Sequence, residues 1–222
     1  MATAARRNWF AIWVSIVAVA AIVAVGVLVV WMNNLATDPG EQPQGAIVDQ
    51  DTGAITFGSG SNTVDTYIDF MCPYCQQFEE AEGKDIRDLV ADGSITLNLH
   101  PVAILDRLSS GTEYSSRAAS AMYAVAAADP DNAYAFMQAM YENQPLENST
   151  GLTDEEIVQI ARDAGVDVTS ELETAITSHE YIDFAQSQQL PDGATGTPTL
   201  VVNGELVDVT MDVQTDIVDR LE

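Results

Sequence analysis

Thr63-Val64-Asp65-Thr66-Tyr67-Ile68-Asp69-Phe70-Met71-Cys72-Pro73-Tyr74-Cys75 decides how the rest of the chain is read. Residues 63–70 alternate, with Val64, Thr66, Ile68 and Phe70 on one face and Asp65, Tyr67 and Asp69 on the other, which predicts a strand. Residues 76–91 are rich in helix formers and carry apolar Phe78, Ala81, Ile86, Leu89 and Val90; Asp92-Gly93 stops them. Residues 95–99 return as a strand. The unit is strand, helix, strand, with both cysteines at the N-terminus of the helix.

That placement has a chemical consequence. Disulfide exchange begins when an ionised, exposed thiolate attacks a disulfide sulfur. The positive end of a helix dipole favours a thiolate at Cys72, and Pro73 suits the first helical turn, where its missing N–H costs nothing. The spacing sets Cys75 one turn further in, so Cys72 reads as the nucleophile and Cys75 as the more buried resolving thiol. Other uses of two cysteines fit less well. A bridge across two residues closes too small a loop to act as a staple. The histidines, His100 and His179, lack the paired spacing that would complete a zinc site. No metal is expected, and no cofactor beyond the Cys72–Cys75 pair.

Working outward to the N-terminus, residues 9–32 carry no charge, and Ser15 is the one polar side chain among them. At about 1.5 Å per residue a helix of this length spans about 36 Å, more than the roughly 30 Å hydrocarbon core. Trp9, Trp13 and Trp31 lie near its ends, where indole rings favour the headgroup zone. Arg6 and Arg7 precede it, and the first charges after it are Asp38 and Glu41. Residues 1–8 are therefore expected in the cytoplasm and everything after residue 33 outside. A cleaved signal peptide is the alternative, although the apolar run is long for one and Asn34-Leu35-Ala36 matches a cleavage site poorly. Both readings send the remainder out of the cytoplasm.

The outer part is acidic. All 34 acidic residues follow the apolar segment, as do all the basic ones except Arg6 and Arg7, which leaves a formal charge of −28. Such a surface repels nucleic acid and anionic lipid, so neither is expected as a partner. Acidity of this kind serves solubility or adaptation to the medium and identifies no substrate.

Towards the C-terminus, residues 33–45 read as a linker with two prolines and two glycines. Residues 46–48 and 54–57 are expected as strands. Helices are expected at 115–128 and 133–141, behind a capping box at Thr153-Asp154-Glu155-Glu156, and over 170–188. Strands at 200–202 and 205–209 flank an Asn203-Gly204 hairpin turn, and a last helix starts near Asp212. One mixed sheet can collect these strands, with the helices between about 112 and 190 as an excursion within a domain spanning 46–222. Before the hairpin, Thr197-Pro198 follows Gly196 and opens a strand. A cis bond there would present the Thr197 backbone to an extended substrate segment; an ordinary trans turn proline is the alternative.

Together these stretches resemble the DsbA-like branch of the thioredoxin superfamily. The resemblance rests on residues 68–75 and on Gly196-Thr197-Pro198-Thr199-Leu200-Val201-Val202-Asn203-Gly204. His100-Pro101-Val102-Ala103-Ile104-Leu105 with Ser116-Arg117-Ala118-Ala119, and Gly151-Leu152-Thr153-Asp154, add to it. With its anchor the chain is similar to membrane-tethered members of Gram-positive bacteria, particularly actinobacteria. The resemblance implies an α/β thioredoxin fold with an all-helical insertion, preceded by one transmembrane helix. It also implies Cys72 as the surface cysteine, Pro73 and Tyr74 as the active-site dipeptide, and Pro198 as a cis-proline facing the pair. The implied activity is donation of a disulfide to exported polypeptides that contain cysteines. Reoxidation would come from a membrane quinone-linked partner, DsbB-like or vitamin K epoxide reductase-like.

Two positions depart from the pattern. Many thioredoxins carry a buried acid six residues before the first cysteine, where this chain has Thr66; Asp65 and Asp69 are expected on the opposite face. Pro-Tyr replaces the Pro-His of the best-known oxidases, and His100 is either recruited near the cysteines or structural. The alternative functions are an extracytoplasmic reductase or isomerase, and a non-redox module that holds extended peptides at Pro198.

Overall fold

A computed structural model describes residues 9–36 and 40–222. Arg6, Arg7 and the expected cytoplasmic segment 1–8 lie outside the described residues. The chain divides into two units, the first ending at Asp38 and the second running from Pro39 to Glu222.

The first unit contains helix α1, Trp9–Ala36. Its stretch Ile12–Met32 is long and apolar enough to cross a membrane, and those side chains are exposed all round the helix. A helix that is apolar on every side needs an apolar medium, which fits a membrane anchor or a signal sequence. The expected linker begins too early: residues 33–36 continue the helix, because Pro and Gly enter only at Pro39-Gly40.

In the second unit a five-stranded sheet has the order β1-β3-β2-β4-β5. Its strands are β1 Ile55–Gly58, β2 Asn62–Ile68, β3 Ile95–Pro101, β4 Thr199–Val202 and β5 Glu205–Val207. Strands β2 and β3 are parallel and joined by α2, Pro73–Ala91; the other pairs are antiparallel. Val64 and Ile68 of β2 and Ile95, Leu97 and Leu99 of β3 are buried on one face. Phe78 and Ile86 of α2 join Val64 and Leu97 in one apolar cluster, and Ile68 and Leu99 join the helical insertion in another. The opposite face carries polar, half-buried side chains such as Thr63, Asp65 and Asn98, as expected for a sheet covered on one side.

The insertion comprises α3 Tyr114–Ala128, α4 Ala133–Glu142, α5 Asp154–Asp163, α6 Ser170–Thr177 and α7 Ile182–Ser187. Alanines let α3 pack closely, and most of its residues are buried. The capping box is present: the Thr153 hydroxyl accepts from Glu156 N–H while the Glu156 carboxylate accepts from Thr153 N–H. Arg117 of α3 ties the insertion together. It donates to Asp154 at 2.6 Å and to the carbonyls of Thr112 and Leu152, while His179 meets the other Asp154 oxygen at 2.9 Å.

Three expected elements come out differently. The single helix over 170–188 is two helices, because His179 adopts φ 57° and closes α6. The Glu180 N–H donates to the Ala175 carbonyl and the His179 N–H to that of Ile176, the paired bonds of a Schellman terminus. Residues 46–48 form no strand; only Val48 bridges Ile55, since the Val48 N–H donates to the Gly45 carbonyl and closes residues 46 and 47 into a turn. The last helix, α8, is a single turn, Val213–Asp216, followed by a 3-10 turn at Val218–Arg220. The hairpin has the expected geometry, with positive φ at both Asn203 and Gly204.

Removing one partner of a largely buried, hydrogen-bonded ion pair leaves the other uncompensated. Arg117→Met should therefore lower the unfolding free energy by about 2–3 kcal/mol in urea denaturation, with an unchanged m-value. A loss under about 0.5 kcal/mol, typical of an exposed pair, would contradict this role of Arg117 in the insertion.

Candidate active site

Strand β2 ends at Ile68 and the chain turns over Asp69-Phe70-Met71 before α2 begins. Cys72 caps α2 in extended conformation (φ −78°, ψ 115°), and Pro73 takes the first helical position. The turn is held from within: Cys72 N–H donates to the Asp69 carbonyl at 3.0 Å, and Met71 N–H to the Asp69 carboxylate at 2.8 Å. It is also held from outside. Just past α4, the Gln144 amide donates to the carbonyls of Phe70 and Cys72 at 3.0 and 2.9 Å.

Alternation places Asp69 on the outer face, but it is fully buried. The strand ends one residue earlier, so alternation no longer applies. The turned chain aims the carboxylate at the Leu105 N–H (2.9 Å) and the Ser115 hydroxyl (2.7 Å). Burial raises its pKa to about 6, against the pull of its donors.

The register of the sheet brings the second half of the site to the first. Strand β4 runs antiparallel to β2, with Thr199 opposite Tyr67. The residues just before Thr199 therefore lie beside those just after Tyr67. The Thr197–Pro198 bond is cis, and Cys72 Sγ donates to the Thr197 carbonyl at 3.2 Å. The Thr197 hydroxyl is buried beside this sulfur, with no formed hydrogen bond among the described residues. Tyr74 is exposed and lines, with Gly196, Thr197, Pro198, Leu206 and Met211, an open cleft of about 410 Å³.

The two thiols are free and unequal. Cys72 is brought down to about 6, foremost by the Cys75 thiol donating to it. The Thr197 hydroxyl and the N–H groups of Cys75 and Tyr74 act in the same direction, while burial opposes them. Cys75 is pushed well above the ordinary range, first by burial and then by its neighbour Cys72. One sulfur thus ionises near neutrality while the other keeps its proton. Cys72 is less open than expected, 4% exposed against 1% for Cys75, because its sulfur is turned onto the Thr197 carbonyl. An incoming group must displace that hydrogen bond.

His100 is not at the cysteines. It stacks on Tyr67 (4.2 Å between centroids, 6° between planes) and meets Asp65 at 3.0 Å on the polar face of the sheet. Asp69 and Gln144 escape a reading of the sequence alone. An acid at the end of a strand and next to the cysteine turn is a signal for the first. Nothing local marks the second, which acts across about seventy residues. Among the described residues no cluster of His, Cys, Asp and Glu is arranged to hold a metal ion.

A family model described as thioredoxin matches residues 55–220. Among solved structures, oxidised DsbA of Mycobacterium tuberculosis is similar at 30% identity, over 71% of this chain and 86% of that one, with a TM-score of 0.63. MdbA of Actinomyces oris, a thiol-disulfide oxidoreductase, is similar at 27% identity, over 76% of this chain and 83% of that one, with a TM-score of 0.60. The serine/threonine-protein kinase PknE of Mycobacterium tuberculosis is 33% identical over 112 residues, 49% of this chain. The chain spans only 20% of that protein's length.

The depressed Cys72 pKa links redox state to stability. An unfolded thiol titrates near 8.5, so the thiolate's stabilisation of the reduced fold is complete above that pH and is lost as pH falls through about 6. The disulfide form has no such contribution. The stability of the reduced full chain minus that of the oxidised one should therefore rise by about 2–3 kcal/mol between pH 5 and pH 8. Above that range the raised Cys75 begins to oppose it. Urea denaturation of both forms at each pH measures the difference, and a flat or falling trend contradicts the assignment.

Proposed function

The chain belongs to the thioredoxin family, on its DsbA-like branch, and from that membership we propose that it is a membrane-anchored extracytoplasmic oxidase that donates the Cys72–Cys75 disulfide to exported polypeptides. The observation that carries this reading is the inequality of the two sulfurs at the start of α2, beside the cis Thr197–Pro198 loop. A substrate thiolate attacks Cys72 of the disulfide, forms a mixed disulfide and expels Cys75. A second substrate thiolate then attacks the mixed disulfide at the substrate sulfur and releases Cys72 as a stabilised thiolate. The substrate gains a disulfide, and the enzyme is left as a dithiol. No bound cofactor is needed.

The surface supports an unfolded polypeptide as substrate. Outside α1, the exposed large apolar side chains among the described residues are Tyr74, Leu146 and Leu206. Tyr74 and Leu206 line the cleft at Pro198, and Leu146 follows Gln144, which holds the cysteine turn. Thr197 and Pro198 would align an extended segment there by backbone pairing. Reoxidation falls to a membrane quinone-linked partner of the DsbB or vitamin K epoxide reductase kind, brought close by anchorage through α1 with the N-terminus in the cytoplasm.

The size of the thiolate effect sets the expected potential. At pH 7 a pKa of about 6 instead of the ordinary value of about 8.5 favours the dithiol by about 1.4 kcal/mol, or about 30 mV. The nucleophilic cysteine titrates at about 7 in thioredoxin and about 3.5 in DsbA, so Cys72 lies nearer thioredoxin. That nearness is what favours the second reading, a reductase or isomerase. Equilibration of the full chain with reduced and oxidised glutathione separates the two. A potential above about −250 mV is expected of the donor; one at or below thioredoxin's value of about −270 mV makes the chain a reductase.

A further inference from the structure

Cys75 presents a problem that the exchange scheme leaves open. Its thiol is 1% exposed and raised well above the ordinary range, foremost by burial. It must nevertheless take up a proton when expelled from the disulfide and give one up when it attacks a mixed disulfide. Water has almost no direct access to it, and the strand position where a buried acid would face it holds Thr66.

A small cavity lies beneath Cys75. Thr66 of β2, Cys75 and Glu79 of α2, and Tyr134 and Tyr141 of α4 line it among apolar neighbours. Its volume of about 10 Å³ is close to the roughly 10–15 Å³ that one water needs, and Thr66, Glu79, Tyr134 and Tyr141 are the residues of its lining with oxygen-bearing side chains. Glu79 is one helical turn beyond Cys75 and on the same face of α2. Its carboxyl occupies space that a larger residue would close: a Cβ at Gly83 would come within 2.1 Å of Glu79 Oε1. Glycine within a helix is less stable than alanine, and here it leaves room for this acid. The Gln138 amide donates to Glu79 Oε1 at 2.9 Å and the Tyr134 hydroxyl to the Gly83 carbonyl at 3.1 Å.

We propose that Glu79 exchanges a proton with Cys75 through one water in this cavity, taking from the helix the role that Thr66 cannot fill from the strand. The inference rests on the thiol–disulfide exchange proposed above. In disulfide donation the electron pair of the broken S–S bond goes to Cys75 Sγ, which takes the Glu79 proton; the carboxylate is reprotonated from solvent. In reoxidation the Glu79 carboxylate accepts the Cys75 proton as that sulfur attacks Cys72 of the mixed disulfide and the partner leaves as a thiolate.

The groups facing Glu79 fit the task. Burial raises its pKa to about 7, with the Gln138 amide and the Arg87 charge drawing it back. The phenols of Tyr134 and Tyr141 are pushed up by burial and stay neutral. Glu79 is therefore the cavity-lining group that titrates near neutral pH.

The test uses the full chain in detergent micelles, with oxidised glutathione as the probe. Reduced protein forms a Cys72–glutathione disulfide, and closure onto Cys75 releases glutathione; acid quenching and mass measurement give the closure rate. In the native chain the rate should rise as pH passes through about 7. Glu79→Gln, isosteric and still able to bond Gln138, should lose that rise and close about tenfold or more slowly at pH 8. Glu79→Asp, which keeps a carboxyl, should retain the rise at a reduced rate. A Glu79→Gln chain that keeps the inflection, or closes within about twofold of the native rate, overturns the assignment while the exchange itself stands. Failure of the native chain to form or close the mixed disulfide overturns both.

Discussion

The Cys75 thiol, the Thr197 hydroxyl and the backbone N–H groups of Cys75 and Tyr74 all lie near Cys72 Sγ, and every one of them favours negative charge there. The N-terminus of a helix carries partial positive charge, so a sulfur at the N-cap lies where the fold favours an anion, even though the N–H groups of Cys75 and Gln76 bond the Cys72 carbonyl. Burial works against the ion, and the donors win. The same arrangement cannot serve Cys75, which lies further into the helix, is sealed by the insertion and is faced by the first sulfur. The inequality that makes the pair useful is thus a consequence of position along one helix.

The rest of the second unit keeps those donors in place. Antiparallel pairing of β4 with β2 delivers Thr197 from 125 residues away. The buried Asp69 ties the turn before Cys72 to the chain after β3 and to α3, and Gln144 ties it to the end of α4. The insertion is therefore more than a lid added to a sheet. Its α3 and the chain just past α4 hold two of the restraints on the cysteine turn, and α4 supplies the two tyrosines that line the space beneath Cys75.

What is legible in the sequence is local. Pro73 at the first helical position, the Asp92-Gly93 stop, the Thr153–Glu156 capping box and the Asn203-Gly204 turn each declare themselves within a few residues, because their physics is confined to them. The strand–helix–strand frame of the cysteines follows from the change of hydrophobic period at Phe70. Alternation misplaces Asp69 because it runs one residue past the end of the strand, and the donors to that carboxylate come from residues 105 and 115. The break at His179 is hidden because histidine stands where glycine usually marks the left-handed terminus. Cys72 looks more open in the sequence than it is in the fold, since nothing in its neighbours along the chain reveals the carbonyl that Pro198 brings over it.

Titration of the Cys72 thiolate tests the central claim most directly. The rate of iodoacetamide alkylation at that residue in the reduced full chain can be followed from pH 4 to pH 10. An inflection near pH 6 is expected. An inflection at about 8.5, the value of an ordinary thiol, would mean that the start of α2 and the Thr197 loop do not stabilise the charge, and the proposed chemistry would lose its basis.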